Sequence, residues 1–190
     1  QKVLANLNSV AVRFPKHPVV RKILKKIDFP LAMPSANISS NVSPVNAYHV
    51  ADEFKKKVKI IIDGGNSKIG LESTVIDLTG KPTILRPGFI DSKIIKKILK
   101  KKIYFGNKKS KVRSPGMSKV HYSPGIPVYF DKKFIDKNCA ILTFGKNYKG
   151  KKNLFNLSKN SDLKQAASNL YKTLREIKKN KYKKIFFAKI

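Results

Sequence analysis

The sequence predicts an α/β fold, in which helices cover the strands of a sheet. The first observation is composition, because 41% of the 190 residues are hydrophobic and 28% are charged, which is typical of a chain with a core. The second is that segments with an apolar side chain at every second position alternate with segments that repeat every three or four positions. The third is that no apolar run approaches the roughly 18 residues of a membrane span. We therefore expect a globular protein.

The first 105 residues are predicted to form one domain. Apolar and polar side chains alternate along residues 9–14, and short apolar runs predict the later strands. A Thr-Gly-Lys-Pro turn joins the last two strands and predicts a hairpin. Ser43, followed by Pro44, is predicted to cap the second helix, and Asp91 to cap the third. The predicted strands are residues 9–14, 29–33, 59–62, 74–78 and 83–86, and the predicted helices cover 19–27, 44–58 and 92–99.

A linker and a smaller unit are predicted to follow. Residues 106–125 are rich in Gly, Pro, Lys and Arg, which is linker composition. Residues 126–190 contain predicted strands at 128–130, 140–144 and 185–188 and a long helix capped by Ser161. This C-terminal unit is short for an independent core, so we expect it to be incomplete.

Cysteine and histidine usage gives no disulfide or metal site. Cys139 is the single cysteine and cannot form an internal disulfide, so a reducing cytoplasm is the expected location. Cys139 is predicted to be a small buried hydrophobe. The three histidines are scattered without the spacing of metal ligands. The chain begins at Gln1 with no signal segment, and we expect the N-terminus to be a cut end.

The net charge of +31 leaves two interpretations open. Lysine and arginine that neutralise phosphates drive nucleic-acid binding, so one interpretation is a basic module that binds double-stranded RNA or tRNA without catalysis. However, only five of the 42 basic residues are arginine, the better reader of phosphates and bases. Abundant Lys, Asn and Ile share A/T-rich codons, so the second interpretation is codon drift on solvated helix faces.

Hydroxyl and amide side chains collect where predicted strands end and a predicted helix begins. Pro-Ser-Ala-Asn at 34–37, Ser-Pro at 43–44 and Glu-Ser-Thr at 72–74 are the main segments. Free backbone N–H groups and the helix dipole favour an anion at such positions, so this pattern fits a phosphate. Arg13 and Arg86 stand out in a chain so poor in arginine. The alternative is that the serines satisfy turns and caps and the arginines form surface ion pairs.

Four segments, in this order, resemble the threonylcarbamoyl-adenylate synthase family and its YrdC-like domain. They are PLAMPSANISSNVSPVNAYHV, IIIDGGNSKIGLESTVIDLT, ILRPGFI and SPGMSKVHYSPGIPV. The last is similar to the linker of the two-domain members, and residues 139–190 resemble the start of their C-terminal domain. The resemblance implies a twisted mixed sheet with helices over residues 1–105, a linker over 106–125, and the start of a small Rossmann-like α/β domain over 126–190.

The resemblance also implies an activity. Members make threonylcarbamoyl-adenylate and pyrophosphate from L-threonine, bicarbonate and ATP, with Mg²⁺ accompanying the ATP. The product supplies the tRNA threonylcarbamoyl transferase machinery. The implied threonine-binding residues are Arg13, Met33 and Ser73, and the implied ATP-binding residues are Ser9, Ser35, Asn37, Ser43, Arg86 and Tyr122. No side chain is implied as a nucleophile or base.

The sequence departs from the family pattern at three places. Met33 replaces a small residue against the threonine pocket, and Ser40 replaces the usual glycine. The family's Lys-x-Arg motif for ATP has no counterpart before Ser9, although Lys111 and Arg113 have that spacing in the linker. We therefore expect the 190 residues alone to lack synthase activity, since phosphoryl chemistry needs cations around the triphosphate.

Overall fold

The computed structural model describes residues 8–106, 122–130, 135–146 and 152–188. They belong to two compact units. The first unit is formed by Gln1–Ser35 and Ser73–Ser118, and the second by Ala36–Glu72 and Lys119–Ile190. The domain boundaries expected from the sequence stay a prediction.

The first unit contains a three-stranded mixed sheet. Strands β1 (Val75–Asp77) and β2 (Thr83–Arg86) are antiparallel, which confirms the hairpin predicted from the intervening turn. Strand β3 (Tyr104–Phe105) pairs with β2 in parallel, so the order is β1-β2-β3. The register of β1 shifts between Val75 and Ile76, where the ladder has an irregularity.

Two helices accompany this sheet. Helix α1 (Pro18–Leu24) begins with proline and ends three residues before the predicted position. A second helix of the unit, Ser92–Leu99, begins after Asp91, whose side chain accepts a hydrogen bond from the Lys93 N–H at 2.7 Å and confirms the predicted cap. The strands predicted at 9–14 and 29–33 are not observed, because neither segment pairs with another described segment. Alternation alone does not supply the neighbour that a strand needs.

The second unit contains a four-stranded parallel sheet. Its strands are β4 (Val128–Tyr129), β5 (Cys139–Thr143), β6 (Leu154–Asn156) and β7 (Lys184–Phe187), in the order β4-β7-β5-β6. All its ladders are parallel, and every residue of β5 is buried. Cys139 is fully buried, as predicted. Parallel strands buried in this way are typical of an α/β fold, which confirms the predicted class.

A long helix, Leu163–Lys179, covers this parallel sheet. We label the helices in chain order, so Ala47–Phe54 is α2, Ser92–Leu99 is α3 and Leu163–Lys179 is α4. Ile177 of α4 and Ile185 of β7 are completely buried, and Val42 and Val45 join the same cluster. Residues 42 and 45 are therefore held in the second unit by apolar packing.

The structure corrects three predictions within the second unit. Helix α2 is capped by Asn46, whose side chain accepts from the His49 N–H, and Ser43 is not its cap. Helix α4 is capped by Asp162 and not by Ser161, since the Asp162 side chain reaches the backbone N–H groups of the first turn. Residues 59–62 are described but pair with no described strand, so the strand predicted there is wrong.

No helix in the described part of the chain is long and apolar enough to cross a membrane.

Candidate functional site

The predicted site residues divide between the two units, which we describe separately. The first unit holds Ser9, Arg13, Met33, Ser35, Ser73 and Arg86, and the second holds Asn37, Ser43 and Tyr122.

Arg86 and Ser73 lie in direct contact in the first unit. Arg86 ends strand β2 with 6% of its surface exposed, and its Nε and Nη2 donate to the Ser73 carbonyl at 3.1 and 2.9 Å. Nη2 also donates to Ser73 Oγ at 3.1 Å. This burial rules out the surface ion pair considered for Arg86. The guanidinium fork therefore fixes both the backbone and the hydroxyl of the exposed Ser73.

The other predicted residues of the first unit are less enclosed. Arg13 is exposed and has no hydrogen bond or ion pair with the described residues of its own unit. Met33 and Ser35 are exposed, and Ser9 is half-buried. An exposed guanidinium has its donors available for a carboxylate, because arginine presents five N–H groups. Arg13 thus has the chemistry expected for binding an amino-acid carboxylate.

Asn37, in the second unit, is a partly buried amide side chain. Its Nδ2 donates to the carbonyls of Ile38 and Asn41 at 2.9 and 3.1 Å, and this fixes the amide orientation because carbonyls only accept. Its Oδ1 is buried and has no hydrogen-bond partner among the described residues. Buried polar atoms are nearly always paired, so an unpaired acceptor calls for a donor from water or a ligand.

Ser43 is buried and lies three residues before the cap of α2. Its hydroxyl donates to the Glu72 carboxylate. Ser43 is therefore not at the N-terminus of α2, where the sequence placed it, and its proposed contact with the nucleotide stays a prediction. The contact instead links the loop around residue 43 to Glu72, the last residue of its part of the second unit.

The loop formed by residues 38–43 is held by an ion pair. Arg175 of α4 contacts the Glu53 carboxylate, and the two side chains are 16% and 8% exposed. Arg175 also donates to the carbonyls of Val42 and Ser43, while Glu53 accepts from the Ile38 N–H at 2.6 Å. Burial alone would raise the pKa of Glu53, but hydrogen bonds from Arg175, Asn41 and Ile38 outweigh it and lower that pKa.

Tyr122 lies against helix α4. Its ring stacks on Tyr171 with the centroids 5.8 Å apart and the planes inclined by 24°. The next residue, Ser123, donates its N–H to the Ser40 carbonyl at 2.8 Å and forms an isolated bridge with Asn41. The chain that follows Tyr122 therefore meets the same 38–43 loop that Arg175 contacts.

Sequence reasoning missed Arg175 and Glu53, and it gave no role to Glu72 and Ser123, although both lie in the quoted segments. The only sequence signal for Arg175 is that it is one of five arginines, and it lies among the lysines of a helix. Lys111 and Arg113, which have the Lys-x-Arg spacing, and His121, one of the three histidines, lie outside the described residues. Within the described ranges, no group of three His, Cys, Asp or Glu side chains is placed to hold a metal ion.

Two solved structures share this fold closely. The crystal structure of Pyrococcus abyssi Sua5 complexed with L-threonine superimposes with a TM-score of 0.84 and 32% identity, covering 98% of this chain and 60% of that one. A doubly substituted form of the same protein gives a TM-score of 0.82 and 33% identity, covering 97% of this chain and 58% of that one.

The curated relatives include threonylcarbamoyl-AMP synthases of two microorganisms. Threonylcarbamoyl-AMP synthase of Pyrococcus abyssi is 42% identical over 131 residues, which are 66% of this chain and 38% of the relative. The enzyme of Bacillus subtilis is 37% identical over 132 residues, 67% of this chain and 38% of the relative. The matched region spans well under half the length of these relatives.

Two family models match nearly the whole chain. Residues 1–88 match the model of the Sua5, YciO and YrdC proteins, described as "Telomere recombination". Residues 90–190 match the model described as "Threonylcarbamoyl-AMP synthase, C-terminal domain". From these matches and the shared fold, the chain belongs to the threonylcarbamoyl-AMP synthase family.

Proposed function

We propose that the protein is an L-threonylcarbamoyladenylate synthase, a nucleotidyltransferase that uses L-threonine, bicarbonate and ATP. The observation that carries the proposal is identity of 37–42% to three curated threonylcarbamoyl-AMP synthases over about two thirds of the chain. The solved Pyrococcus relative was crystallised with L-threonine, which supports threonine as the amino-acid substrate.

The proposed reaction needs positioning and charge stabilisation more than a side-chain nucleophile. The amine of threonine first forms a bond to the carbon of bicarbonate, and a water molecule leaves with the lost hydroxyl and an amine proton, which gives a carbamate. A carbamate oxygen then forms a bond to the α-phosphorus of ATP, and the bond from that phosphorus to the β-phosphate oxygen breaks and releases pyrophosphate. Arginine, hydroxyl and amide groups suit this chemistry because they orient reactants and stabilise phosphate charge.

Threonine is proposed to bind in the first unit. Arg13 has an exposed guanidinium suited to the carboxylate, and Ser73 offers a hydroxyl that Arg86 holds in place. Met33 is exposed and is proposed to contact the threonine side chain. Arg86 is assigned to ATP, and its contact with Ser73 gives it a second role in ordering the threonine site.

Asn37 supports the proposed ATP binding most directly. Its buried Oδ1 requires a hydrogen-bond donor, and the N–H and O–H groups of adenosine are donors. The family resemblance adds Ser9, Ser35, Ser43 and Tyr122 to Asn37 and Arg86 as the proposed ATP-binding residues.

Magnesium is proposed only as a companion of the ATP phosphates. Protein sites for Mg²⁺ use carboxylate oxygens together with substrate phosphates. The proposed ATP-binding side chains contain no carboxylate, and no metal-binding cluster lies among the described residues. These residues do not fit a protein-held metal, so no step is assigned to one.

Pyrophosphate release tests the proposal. The complete gene product is incubated with ATP, bicarbonate and L-threonine, and omission of each substrate in turn is the control. We expect release that requires threonine and bicarbonate. Release that is independent of threonine would contradict the proposal. The tRNA threonylcarbamoyl transferase machinery is the proposed consumer of the product.

A further inference from the structure

We propose that Arg175 is a positioning residue for the nucleotide, which it serves by fixing the backbone of Val42 and Ser43 from helix α4. The inference rests on the proposed function, because it takes Asn37 and Ser43 to bind ATP. Arg175 itself touches no substrate in this scheme.

The Arg175 guanidinium makes three contacts at once. Nη2 donates to the Val42 carbonyl at 2.5 Å and to the Glu53 carboxylate, and Nε approaches the Ser43 carbonyl at 3.4 Å. A planar guanidinium has several N–H donors in fixed directions, so it can hydrogen-bond to two carbonyls and a carboxylate at the same time. A lysine ammonium is a single point charge and does not fix these directions. Arg175 therefore sets the direction of two consecutive peptide groups.

Glu53 hydrogen-bonds to the start of the same loop, at residue 38. One carboxylate oxygen accepts from the Ile38 N–H at 2.6 Å and from Asn41 Nδ2 at 3.0 Å, and the other contacts Arg175. The loop from residue 38 to residue 43 is thus held at both ends by one largely buried ion pair. Asn37, immediately before it, donates to the Asn41 carbonyl within it.

A stability role alone does not require this arrangement. A buried ion pair loses hydration, and well-packed apolar residues of similar size often stabilise as much or more. Here the charged groups instead satisfy backbone carbonyls and an N–H of one loop, which apolar residues cannot do. The contacts therefore specify a loop conformation, and that loop directly follows Asn37 and ends at Ser43, both proposed to bind ATP.

The experiment separates loop positioning from charge pairing. Arg175→Met removes the guanidinium donors to Val42 and Ser43 and leaves the Glu53 carboxylate without its positively charged partner. The double variant Arg175→Met with Glu53→Gln removes both charges, while the amide oxygen of the introduced glutamine still accepts from the Ile38 N–H. Lys164→Met, an exposed position on the same helix, is the matched control for loss of one positive charge. Calorimetry measures ATP and L-threonine binding, and thermal unfolding measures stability.

We expect Arg175→Met to weaken ATP binding about tenfold and to leave threonine affinity within about twofold. The double variant should unfold at a higher temperature than Arg175→Met, because no unpaired charge is left. Its ATP affinity should stay low, because the carbonyls of Val42 and Ser43 still lack their donor. Lys164→Met should change neither affinity. Unchanged ATP affinity in Arg175→Met, or full recovery in the double variant, would overturn the inference.

Amide hydrogen exchange tests the same inference without ATP. Both the single and the double variant should exchange the amides of residues 39–43 faster than the unsubstituted protein, while the Ile38 amide, which keeps its acceptor, and helix α4 stay protected. Unchanged protection of the loop would overturn the positioning role even if the protein binds ATP. Absence of ATP binding by the unsubstituted protein would instead refute the proposed function and, with it, this inference.

Discussion

Ser40 occupies a backbone conformation that favours glycine. Its φ angle is 73°, in the left-handed region, where the Cβ of an L-residue approaches the following carbonyl oxygen. The family resemblance places glycine here, so the substitution to serine carries a backbone strain in this chain. The Ser40 carbonyl accepts from Ser123 and keeps the conformation in place.

Ser40→Gly should therefore stabilise the protein. Relief of the left-handed strain stabilises the folded state by more than the added chain entropy of glycine stabilises the unfolded state. We therefore expect the free energy of unfolding to increase by about 0.5 to 1 kcal/mol. Ser39→Gly is the control, since the φ angle of Ser39 is not positive, and it should be neutral or destabilising. Denaturant titration measures both, and a loss of stability in Ser40→Gly would show that the serine is not strained.

Arg86 and Arg13 should differ in their effects on ligand binding. Arg86→Ala removes the donors that hold the Ser73 carbonyl and hydroxyl, so we expect weaker binding of ATP and of threonine, each by roughly 1.5 to 3 kcal/mol. Arg13→Ala should weaken threonine binding alone. Calorimetric titrations measure the affinities of both variants for ATP and for L-threonine. Threonine affinity unchanged in Arg86→Ala would show that the Ser73 contact has no role in the site.

At the scale of the helices and strands, Asp162 is the residue that caps the N-terminus of α4. Asp162 Oδ1 accepts from the N–H groups of Lys164 and Gln165 at 2.7 and 3.3 Å. Asp162→Ala should therefore lower the free energy of unfolding by about 1 kcal/mol. Ser161→Ala should change it by less than about 0.5 kcal/mol, since Ser161 is exposed and does not cap the helix. Equal losses in thermal unfolding would show that the cap is misassigned.

The elements that the sequence predicts correctly are those with strong local signals. The hairpin of β1 and β2 has a clear turn, and α3 and α4 have regular apolar spacing and a polar residue at the start. Strand β6 was missed because it has only three residues and is defined by pairing with β5. Residues 9–14 have the strand pattern but no described partner, so local pattern and pairing disagree there.

Over the full chain, sequence pattern cannot reveal contacts between distant residues. Arg175 and Glu53 are 122 positions apart, and nothing in either segment predicts the other. The proposed site residues were accessible from the sequence through the family motifs. The support from Arg175 and Glu53, and the contact of Glu72 with Ser43, could not be predicted, because they arise from the way the chain packs.

The charge of +31 is also a property of the full chain. If codon drift produced the lysines, tRNA binding should be weak, should not discriminate among RNAs, and should fall steeply between low and physiological salt. Filter-binding titrations with tRNA and an unrelated RNA measure this. Submicromolar, tRNA-selective binding at about 0.15 M salt would contradict the drift interpretation and favour the RNA-binding alternative.

The proposed chemistry requires that a carbon atom from bicarbonate be joined to threonine and then, through the carbamate, to AMP. Incubation of the complete gene product with ¹³C-bicarbonate, L-threonine and ATP, followed by mass spectrometry of the nucleotide products, traces this carbon. We expect a labelled threonylcarbamoyl-AMP that forms only when all three substrates are present. Formation of AMP or a threonine adenylate without the labelled carbon would contradict the proposed function.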